Sequence, residues 1–140
     1  AKLHPGGAIG RTLLLKVSDV MRIGDRLARV KSGAKVKEAV LAMTGARAGC
    51  VAVVDGSGKL LGIFTDGDLR RHLISTPNIT ESVIDTVMTR SPVTLKPDQL
   101  AVDILKIYEE KNIDDLVVVD KDNRLAGAVD IQDLPKLKIL

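Results

Sequence analysis

Val51-Ala52-Val53-Val54-Asp55, followed by Leu60-Leu61-Gly62-Ile63-Phe64-Thr65-Asp66-Gly67-Asp68-Leu69, decides the fold, because the chain writes this pattern twice. At an offset of 65 residues stand Leu116-Val117-Val118-Val119-Asp120 and Leu125-Ala126-Gly127-Ala128-Val129, and Asp133-Leu134 repeats Asp68-Leu69. Val20-Met21 likewise recurs as Val87-Met88, and only the segment between Met21 and Val30 needs a two-residue adjustment. Self-similarity at a fixed period marks two copies of one supersecondary unit. In each copy two short, apolar, β-branched runs flank turn-tolerant residues, Asp55-Gly56-Ser57-Gly58 in the first and Asp120-Lys121-Asp122-Asn123 in the second. Such runs predict a pair of strands.

Working outward, residues 28–30 and 93–95 are short β-prone runs, each preceding a helical pattern. Val36, Val40 and Met43 fall at helical spacing in the first copy, and Leu100, Ile104, Ile107 and Tyr108 do so in the second. Asp98, after Pro97, is the predicted N-cap of the second helix, and Gly33 is its weaker counterpart. A final short helix is predicted from near Asp66 and again from near Asp133. Each unit reads β-α-β-β-α, which places the chain in the α/β (α+β) class. A unit of roughly 55 residues buries too little apolar surface to stand alone. The two copies are therefore expected to pack through their sheet faces with pseudo-twofold symmetry, leaving two clefts between them where a ligand can sit.

Composition agrees with this reading. Of 140 residues, 45% are hydrophobic and 28% charged, a globular balance, and Phe64 and Tyr108 are the only aromatics. The core must be built from Val, Leu, Ile and Ala. Net charge is +3 but uneven, since residues 1–40 hold nine Lys or Arg against three acids. The run from Arg22 to Lys37 is read as a solvated face, with docking or anion attraction as its functional alternative. Without stacking aromatics among the basic residues, nucleic acid is not an expected partner. Cys50 is the single cysteine, so no internal disulfide forms; its valine-rich neighbours predict a buried strand. With no signal peptide and no long apolar run, a cytoplasmic setting without a membrane partner is expected.

The order Val-Met, helix, Val-Val-Asp and then Gly62-Ile63-Phe64-Thr65-Asp66-Gly67-Asp68-Leu69 resembles the CBS domain, and two copies in tandem resemble a Bateman module. The likeness covers residues 17–137. His4-Pro5-Gly6-Gly7-Ala8-Ile9-Gly10-Arg11, Val17-Ser18-Asp19-Val20-Met21 and Gly62 to Arg71, in that order, are together similar to the arabinose-5-phosphate isomerase family. That resemblance implies an upstream sugar isomerase domain, with residues 1–16 as its remnant or linker, 17–76 as a first CBS domain and 77–140 as a second. It also implies interconversion of ribulose 5-phosphate and arabinose 5-phosphate, feeding the eight-carbon sugar acid Kdo into lipopolysaccharide. By the same resemblance His4 belongs to the isomerase active site, with a catalytic role only in the full-length protein. Aldose–ketose isomerisation needs a positioned base and phosphate-holding groups, and no such constellation stands in this sequence. The chain by itself is expected to be no enzyme and to require no cofactor.

Thr65, Asp66, Gly67 and Asp68 form the sharpest candidate site. Ser/Thr-x-x-Asp at a strand-to-helix junction resembles the CBS nucleotide site, where the acid binds ribose hydroxyls and the hydroxyl approaches a phosphate. A carboxylate accepts two vicinal hydroxyl hydrogen bonds, and an exposed helix N-terminus attracts phosphate; Arg70 and Arg71 add positive charge. The same spacing is that of a capping box, and the two roles are compatible. Asp66 and Asp68 without further oxygen ligands are too few for a divalent metal. Arg47 and Gly49 lie at the level where the resemblance puts the ligand base, with Asp114 and Asp115 in the similar place of the second copy; ordinary loop residues are the equal alternative. The second copy keeps Asp133 but has Asp130 in place of Thr65, and Pro135 and Lys136 in place of Arg70 and Arg71. An acid there repels an anion, so the two clefts are expected to be unequal. The implied ligand is CMP-Kdo, the activated end product, or else an adenine nucleotide. The implied partners are the upstream isomerase domain and a second CBS pair, a homodimer within a tetrameric parent. A ligand-independent oligomerisation module is the alternative.

Overall fold

The computed structural model describes residues 15–134. A one-turn helix α1 (Val17–Val20) leads into β1 (Arg29–Lys31), α2 (Val36–Ala46), β2 (Cys50–Val54), β3 (Leu60–Thr65) and α3 (Asp66–Ser75). The second copy follows as β4 (Thr89–Arg90), β5 (Thr94–Leu95), α4 (Val102–Lys111), β6 (Asp115–Val119) and β7 (Leu125–Asp130). Tight 3₁₀ turns occupy Gly24–Arg26, Ile79–Glu81, Ile84–Thr86 and Ile131–Asp133.

The described residues build two sheets, ordered β1-β2-β3-β4 and β5-β6-β7. The repeat extends to the hydrogen-bond register. Arg29 lies opposite Ala52 in the parallel pair β1–β2, as Thr94 lies opposite Val117 in β5–β6. Cys50 pairs with Thr65 as Asp115 pairs with Asp130, and both hairpins shift register at the same step, between Val53 and Val54 and between Val118 and Val119. The turns close alike: Asp55 Oδ1 accepts from the amides of Ser57 and Lys59 at 2.8 and 3.0 Å, and Asp120 Oδ1 from those of Asp122 and Arg124 at 2.8 and 3.0 Å. Gly58 and Asn123 take the left-handed position that ends each turn.

The Val-Met segments cross over. Val87 and Met88 pack with Val36, Val51 and Phe64 in the first core, whereas Val17, Val20 and Met21 pack with Leu116, Val118 and Val129 in the second. β4 pairs with β3, Ile63 opposite Thr89, and Arg22 makes the equivalent bridge to Ala128. Glycine is required where each methionine crosses: a Cβ at Gly62 would lie 2.7 Å from Met88 Sδ, and one at Gly127 would lie 2.6 Å from Met21 Sδ. A third cluster, made of Ala52, Leu60 and Ile63 from one sheet and Val117 and Val119 from the other, joins the halves through their sheet faces. Alternation along β2 and β6 explains it, since successive side chains face the helices and then the other sheet.

Helix beginnings depart from expectation. Asp98 does not cap α4, which begins at Val102 after Ala101. Leu100 is held in an extended bridge to Lys16, so helical backbone cannot start earlier, and Gln99 instead accepts the Lys96 amide at 2.6 Å. Gly33 lies in a turn at φ +92°, and α2 opens with the Lys35 amide donating to Glu38 at 3.0 Å. In the second copy the helical turn starts at Ile131, ahead of Asp133, because Asp130 caps it by accepting the Gln132 amide at 2.9 Å.

Candidate functional site

Both strand-to-helix junctions open at one end of the paired sheets, onto a recess of about 1110 Å³. Arg47, Gly49, Thr65, Asp66, Gly67, Asp68, Arg70, Arg71 and Asp133 all border it. Two clefts were expected; because the junctions stand side by side, they share one continuous recess. His4 lies outside the described residues, as do Pro135 and Lys136.

At the first junction β3 runs into α3 through a complete capping box. The Asp68 amide donates to the Thr65 hydroxyl at 3.1 Å, and the Thr65 amide donates to Asp68 Oδ2 at 3.0 Å. This is the reciprocal arrangement that fixes a helix start. Asp68 Oδ1 is ion-paired with Arg71 one turn along. Asp68 is nearly enclosed at 9% exposure, while the Arg71 side chain is 72% exposed. The Asp66 amide donates to the Gly49 carbonyl at 3.0 Å, tying the junction to the loop after α2. Arg47 ends that helix in the left-handed conformation, φ 53°, as Asn112 ends α4. The bend leaves Arg47 and Gly49 bordering the recess opposite Asp115; a Cβ on Gly49 would be 3.4 Å from the Asp115 carboxylate.

The second junction follows the equivalent strand but opens a 3₁₀ turn in place of an α-helix, and it is filled differently. Arg22 spans it: Nε donates to Asp133 Oδ2 at 2.7 Å and Nη2 to Asp133 Oδ1 at 3.2 Å. Its Nη1 donates to the carbonyls of Arg47 at 2.9 Å and Ala46 at 3.4 Å. Both side chains are withdrawn from water, 9% exposed for Arg22 and 13% for Asp133, and Arg26 reaches Asp133 from outside at 3.7 Å. Arg22 is therefore not part of a solvated basic face. The rest of that run is on the surface, but this arginine is drawn in by a carboxylate it can meet with two parallel bonds. The reading of isolated segments missed it because its partner is 111 residues away. The usable signal was the repeat itself, which sets Arg22 opposite Thr89 and Asp133 opposite Asp68.

The recess is electrostatically two-sided. Arg47, Arg70 and Arg71 face it from the first half beside Asp66 and Asp68, whereas the second half contributes Asp114, Asp115 and Asp130, with Asp133 neutralised by Arg22. Burial, then the neighbouring charges of Asp130, Asp114 and Asp66, push the Asp115 carboxyl up to about 7, with Arg22 opposing. Cys50 occupies the matching place in the first copy; burial foremost, and then Asp115, push its thiol up to about 12, so it stays protonated. Among the described residues no group of three or more His, Cys, Asp or Glu is disposed to hold a metal ion.

The sequence pattern of the CBS domain matches residues 17–75 and 83–137. The arabinose 5-phosphate isomerase KdsD of Pseudomonas aeruginosa is 46% identical over 137 residues, 98% of this chain and 42% of the relative. The enzyme of the same name from Escherichia coli K12 is 38% identical over 131 residues, 94% of this chain and 40% of the relative. The chain thus spans 40–42% of the length of these relatives. Among solved structures, the CBS domain pair of protein MJ0100 in complex with 5′-methylthioadenosine and S-adenosyl-L-methionine superposes with a TM-score of 0.79 at 25% identity, covering 89% of this chain and 96% of that one. The CBS domain protein PAE2072 from Pyrobaculum aerophilum, complexed with AMP, superposes with a TM-score of 0.77 at 16% identity, covering 86% and 90%.

Proposed function

The chain belongs to the CBS-domain family, and from that premise we propose that it is the regulatory ligand-binding part of an arabinose 5-phosphate isomerase, holding a nucleotide or nucleotide-sugar such as CMP-Kdo at the first junction. The observation that carries this reading is the setting of Asp68. It is an enclosed carboxylate anchored by a helix start, with Arg47, Arg70 and Arg71 bordering the same recess and, among the described residues, the exposed Arg71 on its outer oxygen. Ribose hydroxyls would take over that oxygen, and the freed Arg71, with Arg47 and Arg70, would receive the anionic groups. The Thr65 hydroxyl and the N-terminus of α3 add donors and positive dipole for a phosphate. Phosphate and carboxylate together, as in CMP-Kdo, suit this count of cations. A protonated Asp115 donates to a ring nitrogen and accepts from an exocyclic amine, the edge that cytosine and adenine share.

Binding at this recess would bias the relative arrangement of the two halves, and through it the upstream sugar isomerase domain, by differential affinity for two states. The test is a thermal-shift panel of CMP-Kdo, CMP, AMP, ATP and S-adenosylmethionine. A ligand at a hundredfold excess over its Kd stabilises the fold by about 2.7 kcal/mol, and a Thr65→Ala/Asp68→Ala pair should abolish the shift while the chain stays folded. No stabilisation by any of the five would end the proposal. A cytoplasmic setting fits the single buried thiol, and among the described residues no helix is long and apolar enough to cross a membrane.

A second reading, a ligand-independent assembly module, is favoured by a separate observation. Leu73 and Ile74 on α3 are 59% and 91% exposed, apolar surface of the kind a second CBS pair would cover. Ile74→Glu in the full-length protein should lower its mass in solution; an unchanged assembly would remove this reading.

A further inference from the structure

The two junctions follow equivalent strands and share one feature of the repeat, an aspartate at the third position of the helical element that follows, Asp68 in an α-helix and Asp133 in a 3₁₀ turn. At the second junction a guanidinium meets that aspartate with two parallel hydrogen bonds, 2.7 and 3.2 Å, the same pair of donors a vicinal diol offers. Its remaining nitrogen satisfies the carbonyls of Ala46 and Arg47 at the end of α2, the loop that Gly49 ties to the first junction. Arg22 thus occupies the diol position of the second junction and is anchored there by the end of α2. We propose that the second junction is a nucleoside subsite occupied by the chain's own Arg22, so that the chain takes one nucleotide, at the first junction alone. The one-nucleotide count rests on the nucleotide reading of the first junction; the assignment of Arg22 does not.

Charge agrees with an internal cation. Asp130 stands where Thr65 stands, and Asp115 and Asp130 act on Arg22 beside Asp133 itself. A phosphate brought here meets carboxylates, whereas a guanidinium meets complementary charge and is held by hydrogen bonds on all sides. In the first half the position equivalent to Arg22 is Thr89, by its matching bridge to Ile63. Threonine is too short and carries no charge, and Asp68 is left to the exposed Arg71. Arg22 against Thr89 is therefore the difference that fills one subsite, beside Asp130 against Thr65, which sets its charge.

The experiment is Arg22→Thr, which writes the first half's residue into the second, titrated calorimetrically with 5′-methylthioadenosine, a nucleoside with no phosphate to face Asp130. The variant should bind one equivalent more than the parent chain, and Arg22→Ala should do the same, with circular dichroism confirming the fold of each. No binding by the parent and one equivalent by the variant would support Arg22 as the occupant, and would leave the first junction, whose arginines call for an anionic ligand, to the thermal-shift panel. One equivalent by both would overturn the Arg22 assignment alone, as would two equivalents by the parent. No binding by either would overturn the Arg22 assignment. If neither variant folds, the Arg22 Nε–H resonance of the unmutated chain decides. It should stay unchanged under saturating AMP, and its displacement would mean that a ligand had replaced the guanidinium on Asp133.

Discussion

Asp68 and Asp133 hold the same place in two copies of one unit, yet they live in different chemistry. Asp68 is fixed by backbone hydrogen bonds of its own helix start, and its side-chain partner is a water-exposed arginine one turn away. Asp133 is fixed by a buried arginine from the opposite end of the chain. The first arrangement leaves an outer carboxylate oxygen that a ligand can claim by displacing a solvated group. The second commits both oxygens to an internal cation. Duplication places two junctions on one recess, and the residue after each crossing methionine, Arg22 or Thr89, is the difference that fills the second with the chain's own side chain.

The largest expected difference is in stability. Asp133→Ala strands the buried Arg22 guanidinium and should cost about 3–5 kcal/mol; Asp68→Ala loses a cap and frees an arginine already in water, about 1 kcal/mol. Urea unfolding of the two variants measures the gap, and equal losses would break the comparison. Where the halves are alike, their sensitivities should be alike. Gly62→Val and Gly127→Val each drive a side chain into the crossing methionine, at about 1–3 kcal/mol, and the two denaturation midpoints should fall together. A clear inequality would mean that the crossover is not an equivalent support in both halves.

A smaller effect separates Cys50 from Asp115, which are also equivalent positions. Folding raises the Asp115 carboxyl from its ordinary 3.8 to about 7, so the folded chain holds a proton that the unfolded chain releases. That contribution to stability is complete below the unfolded value and is lost as pH rises through about 7. Thermal midpoints of the parent chain should drop between pH 5 and pH 8, and Asp115→Asn should flatten that drop. Cys50 stays neutral across the range, so Cys50→Ser should leave the slope of the pH dependence as it is. A parent slope that persists in Asp115→Asn would remove Asp115 as its source.

Much of this molecule was legible from Val51 to Leu69 and its echo 65 residues later. Strand pairs, turns, register and the joining of sheet faces follow from local patterns written twice, and local patterns are what a sequence displays. Thr65 and Asp68 were legible for the same reason, as a box four residues long. The helix starts were less so: Asp98 carries the right side chain, but the pairing of Leu100 with Lys16 holds the backbone extended past it. Arg22 was hidden among nine basic residues of the first forty. Nothing local distinguishes it from Arg26 or Arg29, and its burial is decided by Asp133 and by the carbonyls at the end of α2. Long-range choices of this kind appear only when equivalent positions of the repeat are set against one another.

The most direct test is a crystal structure of this chain grown with AMP or CMP-Kdo. One nucleotide is predicted, its ribose on Asp68 with Arg71 displaced, and the Arg22–Asp133 pair unbroken beside it. Nucleotide bound on Asp133, with Arg22 driven out, would contradict the account.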